Sequence, residues 1–252
     1  MSDAPFAGQQ VVVTGGGTGI GRAAALAFAD LGAANVIITG RRENRLTEVV
    51  ALHPAITAVV ADVTTEEGAR KVADAVKLGG GKVDVLVHNA GIFRFTPVAG
   101  FDLGTARDVL ETNLVGPLVL TAALLPQLTS PGGSIVFVSS NAGHIAVPGG
   151  GVYGASKAAV DSLVRSWALE LAPQGIRVNA VAPAAVRTEV YAANGLSPEE
   201  VEGYFGFQAS QTPLGRTGEV DDVVPWITRF AEPASSWVTG QIITLDGGAD
   251  LA

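Results

Sequence analysis

Short β-branched runs alternate with longer segments of helical periodicity from one end of the chain to the other. Gln9 to Thr14, Asn35 to Thr39, Ile56 to Val60, Val83 to Val87, Ser134 to Ser139, Ile176 to Val181 and Gln241 to Leu245 read as strands. Residues 22 to 31, 43 to 51, 65 to 78, 105 to 126, 152 to 171 and 219 to 231 read as helices. Gly32 ends the first, and Thr64 with Glu67 predicts a capping box for the third. Ser197-Pro198-Glu199-Glu200 starts a further short helix, with an N-cap, proline at the first helical position and an acid at the third. Strands alternating with helices throughout imply an α/β domain spanning residues 1 to 252, its parallel sheet covered on both faces.

Within 105 to 126, Pro117 lacks the N–H that would serve the carbonyl of Asn113, leaving it for another donor such as an ordered water. The other reading is a simple kink in a buried helix. The uncharged stretch from Thr112 to Leu125 is interrupted by Asn113, Gly116 and Pro117, with Pro126 following, well short of a membrane span. It reads instead as a helix buried between sheet and subunit partner.

Composition narrows the function. Hydrophobic residues make up 48% and charged residues 16%, and a net charge of −8 argues against nucleic acid or an anionic membrane as partner. With no cysteine, disulfides and thiol chemistry are excluded, and His53, His88 and His144 have no metal-site spacing. The N-terminal segment shows neither a basic start nor an apolar core, so cytoplasm is the expected compartment.

Candidate chemistry lies at the strand ends. The first strand runs into Gly15-Gly16-Gly17-Thr18-Gly19-Ile20-Gly21 and then an Ala-rich helix, the context of a dinucleotide-binding turn. Where the second strand ends, a carboxylate would favour NAD, but Gly40 stands there, followed by Arg41 and Arg42. Two guanidinium groups favour the 2′-phosphate of NADP; the other reading is a solvated pair opening a helix. Asp62 ends the third strand and can accept from an adenine amino group, and Asn89-Ala90-Gly91 suits close passage past a cofactor. Ser139 to Lys157 reads as a catalytic centre. Tyr153 and Lys157 are four apart on one helix face. A cation about 5 Å from the phenol, at an effective dielectric of about 20, would lower its pKa by roughly two units. Ser140 can fold back beside it, a trio suited to proton transfer at a C–O bond. Tyr191, Tyr204, Phe205 and Phe207 read as a lid at about 188 to 212 over a substrate pocket, or equally as ordinary core.

Taken together, Thr14 to Gly21, Asn89 to Gly91, Asn113 in Glu-Thr-Asn-Leu, Ser140, Tyr153 and Lys157, with Pro213-Leu-Gly-Arg-Thr-Gly, Thr239-Gly-Gln and Asp246-Gly-Gly, resemble the short, single-domain branch of the short-chain dehydrogenase/reductase family. The resemblance implies a Rossmann-type, doubly wound, seven-stranded sheet and a homotetramer or homodimer. It also implies roles: Tyr153 the general acid or base, Ser140 orienting the carbonyl, Lys157 on the nicotinamide ribose, and Asn113 holding a water that relays protons. Ile20, Val63, Pro183, Val186 and Thr188 complete the implied cofactor contacts. Two departures stand out: His88 where Asn is commoner, and Ala184 after Pro183 where Gly is usual. With Phe93, His144, Val147, Tyr191 and Phe205 as expected pocket lining, the expectation is an NADP(H)-dependent enzyme moving a hydride between nicotinamide and an uncharged ketone or secondary alcohol. A reductase of acyl-carrier-protein-bound 3-oxo intermediates and a non-catalytic NADP-binding regulator are the alternatives.

Overall fold

In the computed structural model, the strands carry apolar residues that alternate between two separate cores, one on each face of a single sheet. The structure describes residues 4–191, 194 and 196–251. Residues 1–3, 192, 193, 195 and 252, which fall in the N-terminal segment, the expected lid and the C-terminus, lie outside the described residues. The strands are β1 (Gln10–Thr14), β2 (Asn35–Gly40), β3 (Ile56–Val60), β4 (Val85–His88), β5 (Ser134–Val138), β6 (Arg177–Pro183) and β7 (Ile242–Leu245). All pair in parallel in the order β3-β2-β1-β4-β5-β6-β7. The order reverses between β1 and β4, and a crevice opens at the carboxyl ends of the strands there.

The helices are α1 (Gly19–Asp30), α2 (Glu43–Val50), α3 (Glu66–Leu78), α4 (Leu103–Leu110), α5 (Gly116–Leu124), α6 (Gly151–Leu171), α7 (Pro198–Gln211) and α8 (Val220–Ala231). Val11 and Val13 of β1 face α1, α2 and α8, where Phe28, Leu46 and Ile227 are buried. Val12 faces α3, α5 and α6, packing with Val72, Leu120 and Val164. Each such side chain contributes about 1.5–3 kcal/mol of burial, which is why the strand runs are apolar at nearly every position.

Three local expectations are corrected. The cap of α3 is Thr65, whose hydroxyl accepts from the Gly68 amide at 3.0 Å, whereas Thr64 turns back to donate to Asp62 at 2.7 Å. The Asp62 carboxylate thus claims the hydroxyl that the capping box needed. The expected helix 105 to 126 is α4 and α5 joined by a π turn, Glu111–Val115, in which the Gly116 amide donates to the Glu111 carbonyl. Pro117 then falls in the first turn of α5, where a missing N–H is tolerated. The run Leu103–Gln127 has the length and apolarity to cross a membrane, but Leu120 and Leu124 are buried in the core. The capping box at Ser197 and Glu200 is present as expected.

At the far end of β6, the Arg177 guanidinium donates to the carbonyls of Phe230, Ala231 and Glu232, at 2.6, 3.2 and 3.2 Å. These carbonyls end α8, so the cation meets the negative end of the helix and locks it to the sheet.

Candidate active site

The carboxyl ends of β1 and β4 are stitched together by one threonine. The Thr14 hydroxyl accepts from the amides of Asn89 and Ala90 at 3.0 and 2.9 Å and donates to the Val87 carbonyl at 3.3 Å. The Asn89 amide nitrogen in turn donates to the Thr14 and Gly15 carbonyls at 2.9 and 3.3 Å. These bonds fix the floor of a cleft of about 1040 Å³ running across the strand ends.

Gly15, Gly17, Thr18, Gly19 and Ile20 line this cleft beside the N-terminus of α1. Gly19 has φ of +52°, a conformation that side chains strain to adopt. The free amides and positive dipole there suit a pyrophosphate. Gly21 does not reach the cleft. A Cβ there would lie 2.3 Å from the Asn89 amide nitrogen and 2.4 Å from the Gly15 carbonyl, so this glycine serves helix-to-strand packing rather than ligand contact. Arg41, Arg42, Asp62 and Val63 line one end of the cleft, with Arg45 joining them. Arg42 donates to the Thr18 hydroxyl at 3.3 Å, and Arg41 lies 4.0 Å from Asp62. Asn89, Ala90, Gly91, Pro183, Val186 and Thr188 line the middle. This lining of cations, open glycines and a helix N-terminus fits a nicotinamide dinucleotide.

Tyr153, on the first turn of α6, stands in the same cleft, its ring edge-to-face with Phe93 at 5.0 Å between centroids. The Lys157 ammonium lies 5.7 Å from the centre of the phenol ring and donates to the Val138 carbonyl at 2.8 Å. Ser140 lies two residues beyond β5, its hydroxyl donating to the Pro183 carbonyl at 3.2 Å and accepting from the Ala142 amide at 3.3 Å. Asn113 lies behind them, 2% exposed. Its side-chain amide accepts from the Ile92 amide at 2.8 Å and donates to the Ile92 carbonyl and the Ser156 hydroxyl, both at 3.0 Å. The π turn therefore anchors the loop that carries Phe93.

Electrostatics differ from the expectation in one respect. Burial pushes the Tyr153 phenol up, and only the Ser140 hydroxyl works against it. Burial also pushes Lys157 down to about 8, with Asp161 pulling the other way. The lysine donates to the Val138 carbonyl with no hydrogen bond to the phenol oxygen, and loss of hydration dominates the phenol.

Two of the five expected pocket residues are misplaced. His144 does not line the cleft: its Nε2 lies 2.7 Å from the Asp250 carboxylate that the C-terminal segment brings across, and the same acid accepts from the Asn141 amide at 3.0 Å. Phe205 is 2% exposed, stacked under the Arg187 guanidinium at 4.4 Å and against Tyr191 at 4.9 Å. It is core beneath the covering helix, and Tyr204 takes the place toward the cleft, whereas Phe207 points to solvent. Phe93, Val147 and Tyr191 line the cleft as expected. Sequence reasoning missed Arg94, which lines it too. Its position two residues beyond Ile92 in the loop after β4 was the available signal.

The fold and cleft define a Rossmann-type dinucleotide-dependent oxidoreductase. Residues 15–250 match the family model described as enoyl-(acyl carrier protein) reductase. The oxidoreductase asL5 of Sarocladium schorii is 37% identical over 243 residues, covering 96% of this chain and 95% of that protein. The 3-oxoacyl-[acyl-carrier-protein] reductase FabG of Thermotoga maritima is 36% identical over 245 residues, covering 96% and 97%. A short-chain dehydrogenase/reductase of unknown function from Caenorhabditis elegans, solved with cofactor, superposes with a TM-score of 0.92 at 35% identity, covering 98% and 97%. The chain belongs to the short-chain dehydrogenase/reductase family, oxidoreductases that use a nicotinamide cofactor on small-molecule substrates.

Proposed function

We propose that this protein is an NADP(H)-dependent carbonyl reductase or alcohol dehydrogenase acting on a ketone or secondary alcohol. Its main support is the grouping of the Tyr153 phenol, the Ser140 hydroxyl and the Lys157 ammonium in one cleft beside Phe93, an arrangement suited to passing a proton to a substrate oxygen. When bound, the cofactor supplies the hydride; the chain orients the substrate and moves the proton. Ser140 turns its hydroxyl from the Pro183 carbonyl to the substrate oxygen, Tyr153 delivers the proton to that oxygen, and Lys157 would hold the nicotinamide ribose. Gly91 lies between the Asn113 side-chain oxygen and the Lys157 ammonium, and the Asn113 carbonyl, which Pro117 cannot serve, would hold a water that returns protons to Lys157. The preference for NADP rests on Gly40 in place of an acid and on Arg41, Arg42 and Arg45 around the adenosine end.

The test is consumption of NADPH and NADH with a panel of ketones, followed by absorbance of the reduced nicotinamide. We expect NADPH to be preferred, Tyr153→Phe to be inactive, and Arg41→Ala and Arg42→Ala each to lower the NADPH preference by about tenfold. Equal use of both cofactors sinks the NADP assignment. The similarity to the Thermotoga FabG favours, as a second reading, a reductase of carrier-bound 3-oxoacyl thioesters. A strong preference for the carrier-bound thioester over free ketones would select it. NADPH binding without turnover of any ketone or thioester would instead point to an NADP-binding regulator. We also infer a homotetramer or homodimer in the cytoplasm, with the half-exposed Leu118 and the hollow it forms with Ala69 and Ala122 as the shared face.

A further inference from the structure

The substrate end of the cleft, beyond Tyr153, is walled by Phe93, Phe95, Val147, Pro148, Tyr191 and Tyr204. Into this apolar wall the loop after β4 places one guanidinium, Arg94, half-buried and lining the cleft. Its Nη1 donates to the Phe93 carbonyl at 2.9 Å and to the side-chain oxygen of Asn194. Asn194 is itself held by donating to the Val190 carbonyl at 2.7 Å. Both bonds come from Nη1, and among the described residues no hydrogen bond engages Nη2 or Nε. Among the described residues no carboxylate lies within ion-pairing distance of it, whereas Arg41, Arg45, Arg187, Arg216 and Arg229 each have one. Of the carboxylates lining the cleft, Glu189 approaches Gly19 on the cofactor side, Asp62 is taken by Arg41 and Thr64, Asp222 by Arg216, Asp246 by the amides of Gly248 and Asp250, and Asp250 by Asn141 and His144.

A cation half-removed from water and lacking a counter-charge is costly, and a planar fork held by one edge presents its other edge for two parallel hydrogen bonds to an oxyanion. We propose that Arg94 is a specificity-determining residue that binds a carboxylate on the substrate, so that the natural substrate is a short-chain oxo acid or the corresponding hydroxy acid. This rests on the reductase reading above and replaces the expectation of an uncharged substrate.

The experiment compares 2-oxo to 5-oxo acids with their methyl esters, and with neutral and phosphate-bearing thioesters of the same acyl groups, using NADPH. We expect kcat/KM for the best acid to exceed that for its ester by at least about tenfold, mainly through KM, and Arg94→Met to bring the ratio close to one. Arg94→Lys should keep part of the preference. Asn194→Ala separates recognition from mere tethering of the covering segment: it should leave the preference in place. Overturning results are an acid no better than its ester in the unmodified protein, or an Asn194→Ala variant that matches Arg94→Met with both substrates lowered alike. A preference only for the phosphate-bearing thioester over the neutral one would also overturn the carboxylate assignment, pointing to a phosphate instead. If the unmodified protein reduces none of these, the reductase reading fails, and calorimetric binding to the NADPH-loaded protein decides the Arg94 proposal alone. Binding of the acid but not the ester, lost in Arg94→Met, upholds it, and equal or absent binding refutes it.

Discussion

At the residue scale, the buried titratable groups set how stability responds to pH. His88 ends β4, stacked on Phe137 at 4.7 Å with its Nε2 2.7 Å from the Thr121 hydroxyl, and burial pushes its pKa from 6.5 to about 3. Below about pH 6.5 the unfolded chain takes up a proton that the folded one refuses until about pH 3. Stability therefore falls with acidification across that window, by up to about 1.4 kcal/mol per pH unit from this group. In His88→Asn, urea denaturation followed from pH 7 to pH 4 should show a flatter loss than in the unmodified protein; parallel curves would refute the assignment. Lys157 acts at the other end of the scale. Its folded pKa of about 8 lies below the ordinary 10.5, so the cost of burying the charged lysine is present below about 8 and relieved as pH rises toward 10.5. The stability difference between Lys157→Met and the unmodified protein should thus favour the variant most at neutral pH and shrink above pH 8.

At the scale of elements, connections between distant parts of the chain matter more than the elements' own propensities. Arg177 joins β6 to the end of α8 through three carbonyls, and replacing it with Met leaves them without their cation. We expect a loss of about 3 kcal/mol, read as a lower denaturation midpoint with an unchanged slope. Gly21→Ala should also destabilise, since its methyl would meet the Asn89 amide and the Gly15 carbonyl, both backed by strand ends that cannot yield. The strands and most helices were legible in the sequence because burial on both sheet faces writes a local signal, a continuous apolar run. The cap at Thr65 was missed by one residue because Asp62 draws Thr64 away, a competition that spacing does not reveal. The π turn was equally hidden, since Pro117 predicts a disturbance but not whether the helix kinks or gains a residue.

At the scale of the whole molecule, the glycine loop, Tyr153 and Lys157 were readable because each lies at a strand end or on a single helix turn. His144 and Phe205 were misassigned because their partners, Asp250 and Arg187, arrive from elsewhere in the chain. Asp250 holds both Asn141, the first residue of the short turn Asn141–Gly143 that follows Ser140, and His144, which closes it. Asp250→Ala should reduce turnover by about tenfold or more through a displaced Ser140, while costing only about 1–3 kcal/mol of stability, measured by parallel kinetics and denaturation.

That bond also sets an order in time. Asp250 meets Asn141 across 109 positions of sequence, so the turn beside Ser140 receives its last support only after β7 has joined the sheet. A refolding chain should regain the environment of Trp167, packed against Phe137 on β5, before it regains turnover.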